Sequence, residues 1–304
     1  MLDDLPIFHA SDFELRPIQN HHADDLFAIV DRDRDYLRQY QNWPDTICTL
    51  EDMQHLIFAS HDKLARNQGF DLVIYHQERV VGKIGLVYID WRYNRAEIGY
   101  WLAQSAQGYG VMTRATRLVT SYSLGELELS RMLIRCAEGN IRSRAIPERL
   151  DYHFEGILHN KIWIHGKQHK DTLYSMSAKR WYRRMIYHIT SKQEWEAAQE
   201  KGFYAAPSLK TQGFIHLSRL NQIIRVANAV YASQSDLVIL CVDPDQLEDK
   251  LREEPPDTTI SAEHYDGELF PHLYGELSLD AVMQVVAFPS EENGLFSLPE
   301  KLKR

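Results

Sequence analysis

The chain has 304 residues, 44% apolar and 25% charged, with three cysteines and a formal net charge of −9. That length suits two domains with a core each, and the composition excludes a disordered or disulfide-built chain. No run approaches the ~20 apolar residues of a membrane span, and the opening MLDDLPIFHASDF lacks the regions of a signal peptide.

In chain order, residues 13–18 read as a strand, and Asn20 can cap a helix over 21–30. Thr49, with Glu51 and Asp52 behind it, can cap a helix reaching about Arg66. Two runs, 70–75 and 80–89, flank a polar turn at 77–79 and predict a hairpin. A strand at 95–102, a glycine-containing loop at 104–110 and a helix over 111–124 follow. Residues 132–136 form a strand, and 141–150 a helix that Pro147 should kink or break. Three further strands are expected at 154–158, 161–165 and 172–176, so the order is mixed α/β. The basic stretch 177–184 has no clear period and separates a domain over 1–180 from a second over 185–304.

The second domain opens with a strand at 186–189, and Ser191 with Glu194 forms a capping box for a helix to about Lys201. Residues 213–217 read as a strand, 221–231 as a helix and 236–242 as an apolar strand. The polar, proline-containing 244–262 reads as loop with a short helix, before strand-like runs at 269–275 and 281–288. The domain is therefore α+β.

Charge divides the same way. Residues 1–184 hold 24 basic and 24 acidic side chains, whereas 185–304 hold 10 and 19. Within the first part, 131–184 carry 12 basic and 5 acidic side chains, a local positive balance that suits a polyanionic ligand. The acidic second half argues against nucleic acid as a partner. Cys48, Cys136 and Cys241 stand far apart and no Cys/His ligand spacing exists, so no metal and a cytoplasmic, reducing compartment are expected.

The sharpest local feature is EIGYWLAQSAQGYGVMTRA, residues 97–115: a strand, a glycine loop and a helix N-terminus. Such a loop turns free backbone N–H groups toward an anion, and the helix dipole adds positive potential. In Gln107-Gly108-Tyr109-Gly110-Val111-Met112-Thr113 it resembles the pyrophosphate loop of GNAT N-acetyltransferases. More narrowly, the chain is similar to the branch that acetylates N-terminal amines of ribosomal proteins. That likeness rests also on EIGYWL, on Tyr36-Leu37-Arg38-Gln39-Tyr40-Gln41-Asn42-Trp43-Pro44, on Asn140-Ile141-Arg142-Ser143, on Phe154-Glu155-Gly156 and on Thr172-Leu173-Tyr174-Ser175, across about 12–178.

The resemblance implies a mixed-sheet GNAT fold, acetyl-CoA as the acetyl donor, and a protein N-terminus or a small amine as acceptor. Backbone groups of Tyr100, Trp101 and Leu102 would pair with the pantetheine arm, and amides from Gly108 to Thr113 would hold the pyrophosphate. Asn140 would orient the cofactor and Ser143 would face the CoA sulfur, with Arg114 and Arg117 placed for phosphates. The chemistry needs a group to take a proton from the amine and another to meet the departing thiolate. Glu97 is the expected base and Ser143 the thiolate partner; Cys136, on an apolar strand, is a poor nucleophile. Some relatives of that branch carry a basic carboxylate after Phe-Glu-Gly where this chain has Ile162, which with Pro147 leaves a non-catalytic ligand sensor as an alternative.

From Ile186 on, the chain resembles a small bacterial domain family of unknown function, through Ile186-Tyr187-His188, Gly213-Phe214-Ile215-His216-Leu217-Ser218 and Phe270-Pro271-His272-Leu273-Tyr274-Gly275. That family looks related in fold to ADP-ribosyltransferases, which implies NAD in a cleft between two small sheets. His188, His216 and His272, with Ser218 and Tyr274, are the expected ligand set, and Glu268 and Glu276 the flanking acids. NAD binding or ADP-ribosyl transfer by this domain is the alternative to acetyl transfer.

Overall fold

The computed structural model describes residues 5–10, 12–247, 250–256 and 267–303, with side chains throughout except at 159–162. The chain divides into two compact units, Met1–Ser177 and Ala178–Arg304.

The first unit contains β1 (Phe8–His9), β2 (Phe13–Pro17), α1 (Ala23–Arg32), α2 (Arg34–Leu37), α3 (Leu50–Ala65), β3 (Phe70–His76), β4 (Arg79–Asp90), β5 (Arg95–Leu102), α4 (Val111–Gly125), β6 (Arg131–Ala137), α5 (Ile141–Arg149), β7 (His153–Ile164) and β8 (Lys167–Ser177). Its strands form one sheet in the order β1-β2-β3-β4-β5-β6-β8-β7. Every pairing is antiparallel except β5 with β6. Leu26, Ile29, Val30, Met53 and Ile57, from α1 and α3, bury an apolar stripe against Val73 and Trp101 on one sheet face. On α4, Val111, Ala115 and Val119 are fully buried.

Local chemistry sets the boundaries. Thr49 caps α3 as expected, and Asp52 closes a capping box with it that was not singled out from sequence. The β3–β4 turn places Gln77 and Glu78 at φ 50° and 62°, the paired left-handed conformation of a two-residue hairpin. Asn20 does not cap a continuous helix. Residues Asn20–His22 make a 3-10 turn first, because the Gln19 amide donates to His22 Nδ1 at 2.9 Å and draws that side chain back over the turn. The two strands expected at 154–158 and 161–165 are one, β7, whose register against β8 slips between Leu158 and Ile162; a bulge lets the ladder absorb residues that read as a break.

Pro147 sits inside α5 without ending it. A proline removes the bond to the carbonyl four residues back, here that of Ser143. The Tyr100 hydroxyl donates to that carbonyl at 3.0 Å, so the orphaned acceptor is satisfied from the sheet.

The second unit contains α6 (Ala178–Arg184), β9 (Ile186–Ser191), α7 (Lys192–Lys201), β10 (Phe203–Tyr204), α8 (Pro207–Thr211), β11 (Ile215–His216), α9 (Ile223–Val230), β12 (Leu237–Val242), β13 (Leu251–Glu254), β14 (Phe270–Leu273), β15 (Leu277–Ser278) and β16 (Val282–Phe288). Three small sheets result: β16-β12-β9, β11-β14-β13 and β10-β15. Ser191 and Glu194 form the expected capping box. The basic stretch 177–184 is mostly helix: α6 buries Trp181 and Tyr182, and Arg184 pairs with the fully buried Asp243. Within 244–262 the loop reading misses β13, a polar strand whose signal is its partner β14 rather than its own pattern; residues 257–262 lie outside those described.

Candidate active site

The site of the first unit starts from the one parallel pairing. β5 and β6 are in register from Arg95 opposite Arg131 to Ile98 opposite Ile134. Both strands continue, to Leu102 and Ala137, but no rung joins them beyond Ile98. Among the described residues, the facing edges of 99–102 and 135–137 are therefore left without a partner strand. Parallel strands that part inside a sheet expose backbone donors and acceptors that require another partner. Tyr100, Trp101 and Leu102 lie on this open stretch of β5.

At the end of β5 the chain enters the glycine loop. Gly108 and Gly110 take φ of +89° and +71°, and a Cβ at either would meet nothing within 4 Å. Gly110 is the residue before α4, with no side-chain cap and no acidic residue in the first turn. Among the described backbone hydrogen bonds outside regular elements, none is donated by the amides of Gly108, Tyr109, Gly110, Val111, Met112 or Thr113. Val111 and Met112 bury their side chains, so they offer the loop only their backbone, whereas Tyr109 is largely exposed. The Gln107 side chain bridges to the Tyr36 hydroxyl and accepts from Arg142 at 2.9 Å. The result is a cluster of unengaged N–H groups at a helix N-terminus, beside the opened strands: an anion site leading into an extended slot.

The two arginines expected near phosphates are placed otherwise. Arg114 forms a two-pronged ion pair with Asp12 and lies over the Phe13 ring. Arg117 is buried, at 7% exposure.

One face of the slot holds Ser143. Its Oγ lies 3.2 Å from Cys136 Sγ and 3.4 Å from the Tyr100 hydroxyl. Burial holds the Tyr100 hydroxyl well above its ordinary range and pushes the Cys136 thiol up, so both keep their protons near neutrality. The side chain of Asn140 accepts from the Ser143 amide at 3.2 Å and caps α5. Its oxygen thus positions Ser143, a structural task that differs from orienting a cofactor. The Tyr100 side chain was not singled out from sequence, where only its backbone carried a role.

Glu97 stands on the opposite face. Side chains alternate along β5 and β6, so Glu97 shares its face with Arg135, not with Cys136. Arg135 donates to Glu97 at 3.0 Å. Burial raises the Glu97 carboxyl, with Arg135 opposing and Asp171 adding to the rise. The structure therefore does not bring Glu97 and Ser143 into contact; it sets them on either side of the slot. Ile162 lies among the side chains outside those described.

In the second unit, His188 is 6% exposed and both ring nitrogens are engaged: Nδ1 lies 2.7 Å from the His216 carbonyl and Nε2 2.8 Å from the Tyr204 hydroxyl. Burial lowers its pKa to about 4, so it is neutral. It serves as a buried strut. Ser218 is buried where its backbone bridges to Tyr187. His216 and His272 lie opposite each other on β11 and β14, with ring centres 5.3 Å apart. Phe214 stacks on His272 at 4.2 Å, and Tyr274 is 5.5 Å from Phe214. His216 Nε2 is 2.6 Å from Gln212, and His272 Nδ1 is 3.0 Å from Glu254, which also accepts from Tyr274 at 2.8 Å. The acid of this cluster is thus Glu254, from the strand that sequence reasoning missed, and not Glu268, which pairs with Arg225. Gln212, Phe214, Glu254, Pro255 and His272 line an open concavity. Among the described residues, no group of three or more His, Cys, Asp or Glu is arranged to hold a metal, and no helix is long and apolar enough to cross a membrane.

Two protein families match the chain. The acetyltransferase (GNAT) domain matches residues 12–153, and the protein of unknown function DUF952 matches residues 189–285. The ribosomal-protein-serine acetyltransferase of Escherichia coli (strain K12) is 25% identical over 162 residues, 53% of this chain and 90% of that protein. YdaF of Bacillus subtilis (strain 168), named as a ribosomal N-acetyltransferase, is 35% identical over 113 residues, 37% of this chain and 62% of its own length, which is under two thirds. Among solved structures, RimL, a ribosomal L7/L12 alpha-N-protein acetyltransferase, has been seen with coenzyme A; it superposes with TM-score 0.55 at 23% identity, over 57% of this chain and 98% of that one. The apo form of RimL gives TM-score 0.52 at 25% identity, over 57% and 94%. None of these matches carries the expected kinship of the second unit with ADP-ribosyltransferases. The parted strands and the glycine loop thus lie within the region, 12–153, that matches the acetyltransferase (GNAT) domain and its acetyltransferase relatives, and the second unit holds the match to a family of unknown function.

Proposed function

We propose that the first unit takes acetyl-CoA into the slot between β5 and β6 and transfers the acetyl group to a primary amine, with a protein N-terminus as the acceptor class. The observation that carries this reading is the end of β5–β6 pairing at Ile98, beside a loop whose amides have no partner among the described residues. When bound, acetyl-CoA supplies an activated acyl thioester. The amides from Gly108 to Thr113 fit its pyrophosphate, and the free edge of Tyr100–Leu102 fits an extended amide-bearing arm. Ser143 Oγ, kept in place by the Asn140 cap and beside the protonated Tyr100 hydroxyl, is positioned to donate a proton to a departing thiolate. The amine's proton leaves toward the other face, where Glu97 and its raised carboxyl stand. Relatives named as acetylating ribosomal proteins support a protein N-terminus over other amines. Three free cysteines agree with a cytoplasmic setting.

Calorimetric titration of the whole chain with acetyl-CoA and CoA tests the reading. Both should bind, and both should raise the melting temperature by mass action; absence of heat and of thermal shift with either removes it.

The ring cluster of Phe214, His216, His272 and Tyr274 beside Glu254 favours a second, separate reading, in which the second unit binds a planar nucleotide, NAD being the one to test. No heat at millimolar NAD ends that reading, and no ADP-ribosyl transfer is proposed.

A further inference from the structure

On the Glu97 face of the sheet lies one carboxylate that no motif marks. Asp171 is on β8, opposite Ala137 of β6. Tyr174, three residues on, bonds to Arg144 and Glu148 of α5, so alternation places Asp171 on the other face, with Arg135 and Glu97. It is 7% exposed. Among the described residues its side chain has no hydrogen bond and no ion pair; Arg135 and His169 are its nearest opposing charges. Arg135 is already engaged by Glu97 at 3.0 Å. Among the described residues, the row Glu97–Arg135–Asp171 thus sets two carboxylates against one guanidinium, with His169 near Asp171.

Asp171 is buried as a residue while its carboxylate oxygens keep access to solvent, so an incoming cation can reach them. Asp171 pairs with Ala137, next to Cys136, whose sulfur is 3.2 Å from Ser143 Oγ. It thus lies level with the thiolate side of the slot, across the sheet from it. Glu97, by contrast, is level with Leu133, below the point where the strands part. His169 lies near Asp171, its ring 6.4 Å from that of Tyr40, whose hydroxyl donates to Gly139 at 3.0 Å.

We propose that Asp171 is the residue that receives the ammonium group of the acceptor amine. The second carboxylate of the row matches one ammonium. Its raised carboxyl, caused by burial, also lets Asp171 accept a proton more readily than an ion-paired carboxylate does. This rests on the acetyl-transfer reading above.

The test measures CoA release by the full chain with saturating acetyl-CoA. The acceptor probes are hexapeptides beginning with Ser, Ala, Thr or Met, their N-formyl counterparts, and an alkylamine. Transfer to free-amine probes is expected, with none to the formylated ones. Asp171→Asn should raise the acceptor KM about tenfold or more with acetyl-CoA affinity unchanged, whereas Glu97→Gln should act on kcat and leave KM within about threefold. Asp171→Glu should recover part of the loss. An unchanged acceptor KM in Asp171→Asn overturns the inference while acetyl transfer stands. Bound acetyl-CoA with transfer to none of the cationic probes overturns the assignment of Asp171 as an ammonium contact. Absence of acetyl-CoA binding overturns the underlying reading instead, and calorimetry distinguishes the two.

Discussion

The two units treat their polar groups in opposite ways. In the first, the distinctive groups are unengaged: amides from Gly108 to Thr113, the free edge of β5 beyond Ile98, and the Asp171 carboxylate. In the second, the groups that looked most like a ligand set are largely matched to each other. His188 has both nitrogens occupied, His272 has Glu254, and His216 has Gln212. Residue type alone does not separate these cases. A histidine whose partners lie in its own fold stabilises that fold, whereas a backbone edge or carboxylate with none awaits a ligand. The comparison makes the first unit the reactive one and leaves the second only the open rim around Phe214 and His272.

The largest effect that can break this contrast is Ser143→Ala. If the slot is reactive, turnover should fall by about 10²–10⁴-fold while acetyl-CoA affinity holds; equal turnover in the variant places the chemistry elsewhere. Next comes Gly110→Val. Its φ of +71° strains any side chain, yet a Cβ meets nothing within 4 Å, so the fold should survive a cost of about 1–2 kcal/mol. The added bulk stands where the anion would sit, and calorimetry should show acetyl-CoA affinity reduced about a hundredfold or more; retained affinity would separate the loop from the cofactor.

For the second unit the expected effect is on stability. His188 has a folded pKa of about 4, below its ordinary 6.5, so the unfolded chain binds the extra proton. The contribution is complete above pH about 6.5 and is lost as pH falls toward 4, up to roughly 3 kcal/mol. His22 of the first unit is likewise held at about 4 by burial, so both units should weaken over that window. Hydrogen exchange resolved by unit distinguishes them: His188→Gln should remove the pH dependence of the second unit alone and leave acetyl transfer unchanged. A loss of acetyl transfer in that variant would contradict the division of labour drawn above. The smallest change is expected for Arg114→Ala. Its ion pair with Asp12 is near the surface, so stability should move by less than about 1 kcal/mol, and acetyl-CoA affinity by about threefold at most; a larger loss would return Arg114 to the phosphate site.

What the sequence determined is whatever short spacing encodes. The Thr49 cap and the Ser191/Glu194 capping box involve near neighbours along the chain, and the Gly108–Thr113 loop is a strand, two glycines and a helix start in one run. These depend on neighbours along the chain, so they were legible without the fold, as was the strand carrying Tyr100. Only the tertiary structure decided the rest, because it depends on which strands lie side by side and which faces they share. Pro147 is expected to kink or break α5; the helix continues through it, and Tyr100, 43 residues from Ser143, satisfies the vacated carbonyl. From sequence, Glu97 and Ser143 carry separate roles, and only strand alternation shows that they stand on opposite faces. Asp171 had no motif, and becomes conspicuous once β8 lies against β6 and leaves it buried with no hydrogen bond or ion pair among the described residues. Glu254 stood in a stretch that read as loop, and reaches His272 only because β14 gives that stretch a strand to pair with. Pairing partners and burial are properties of the whole chain in three dimensions, and no local pattern records them.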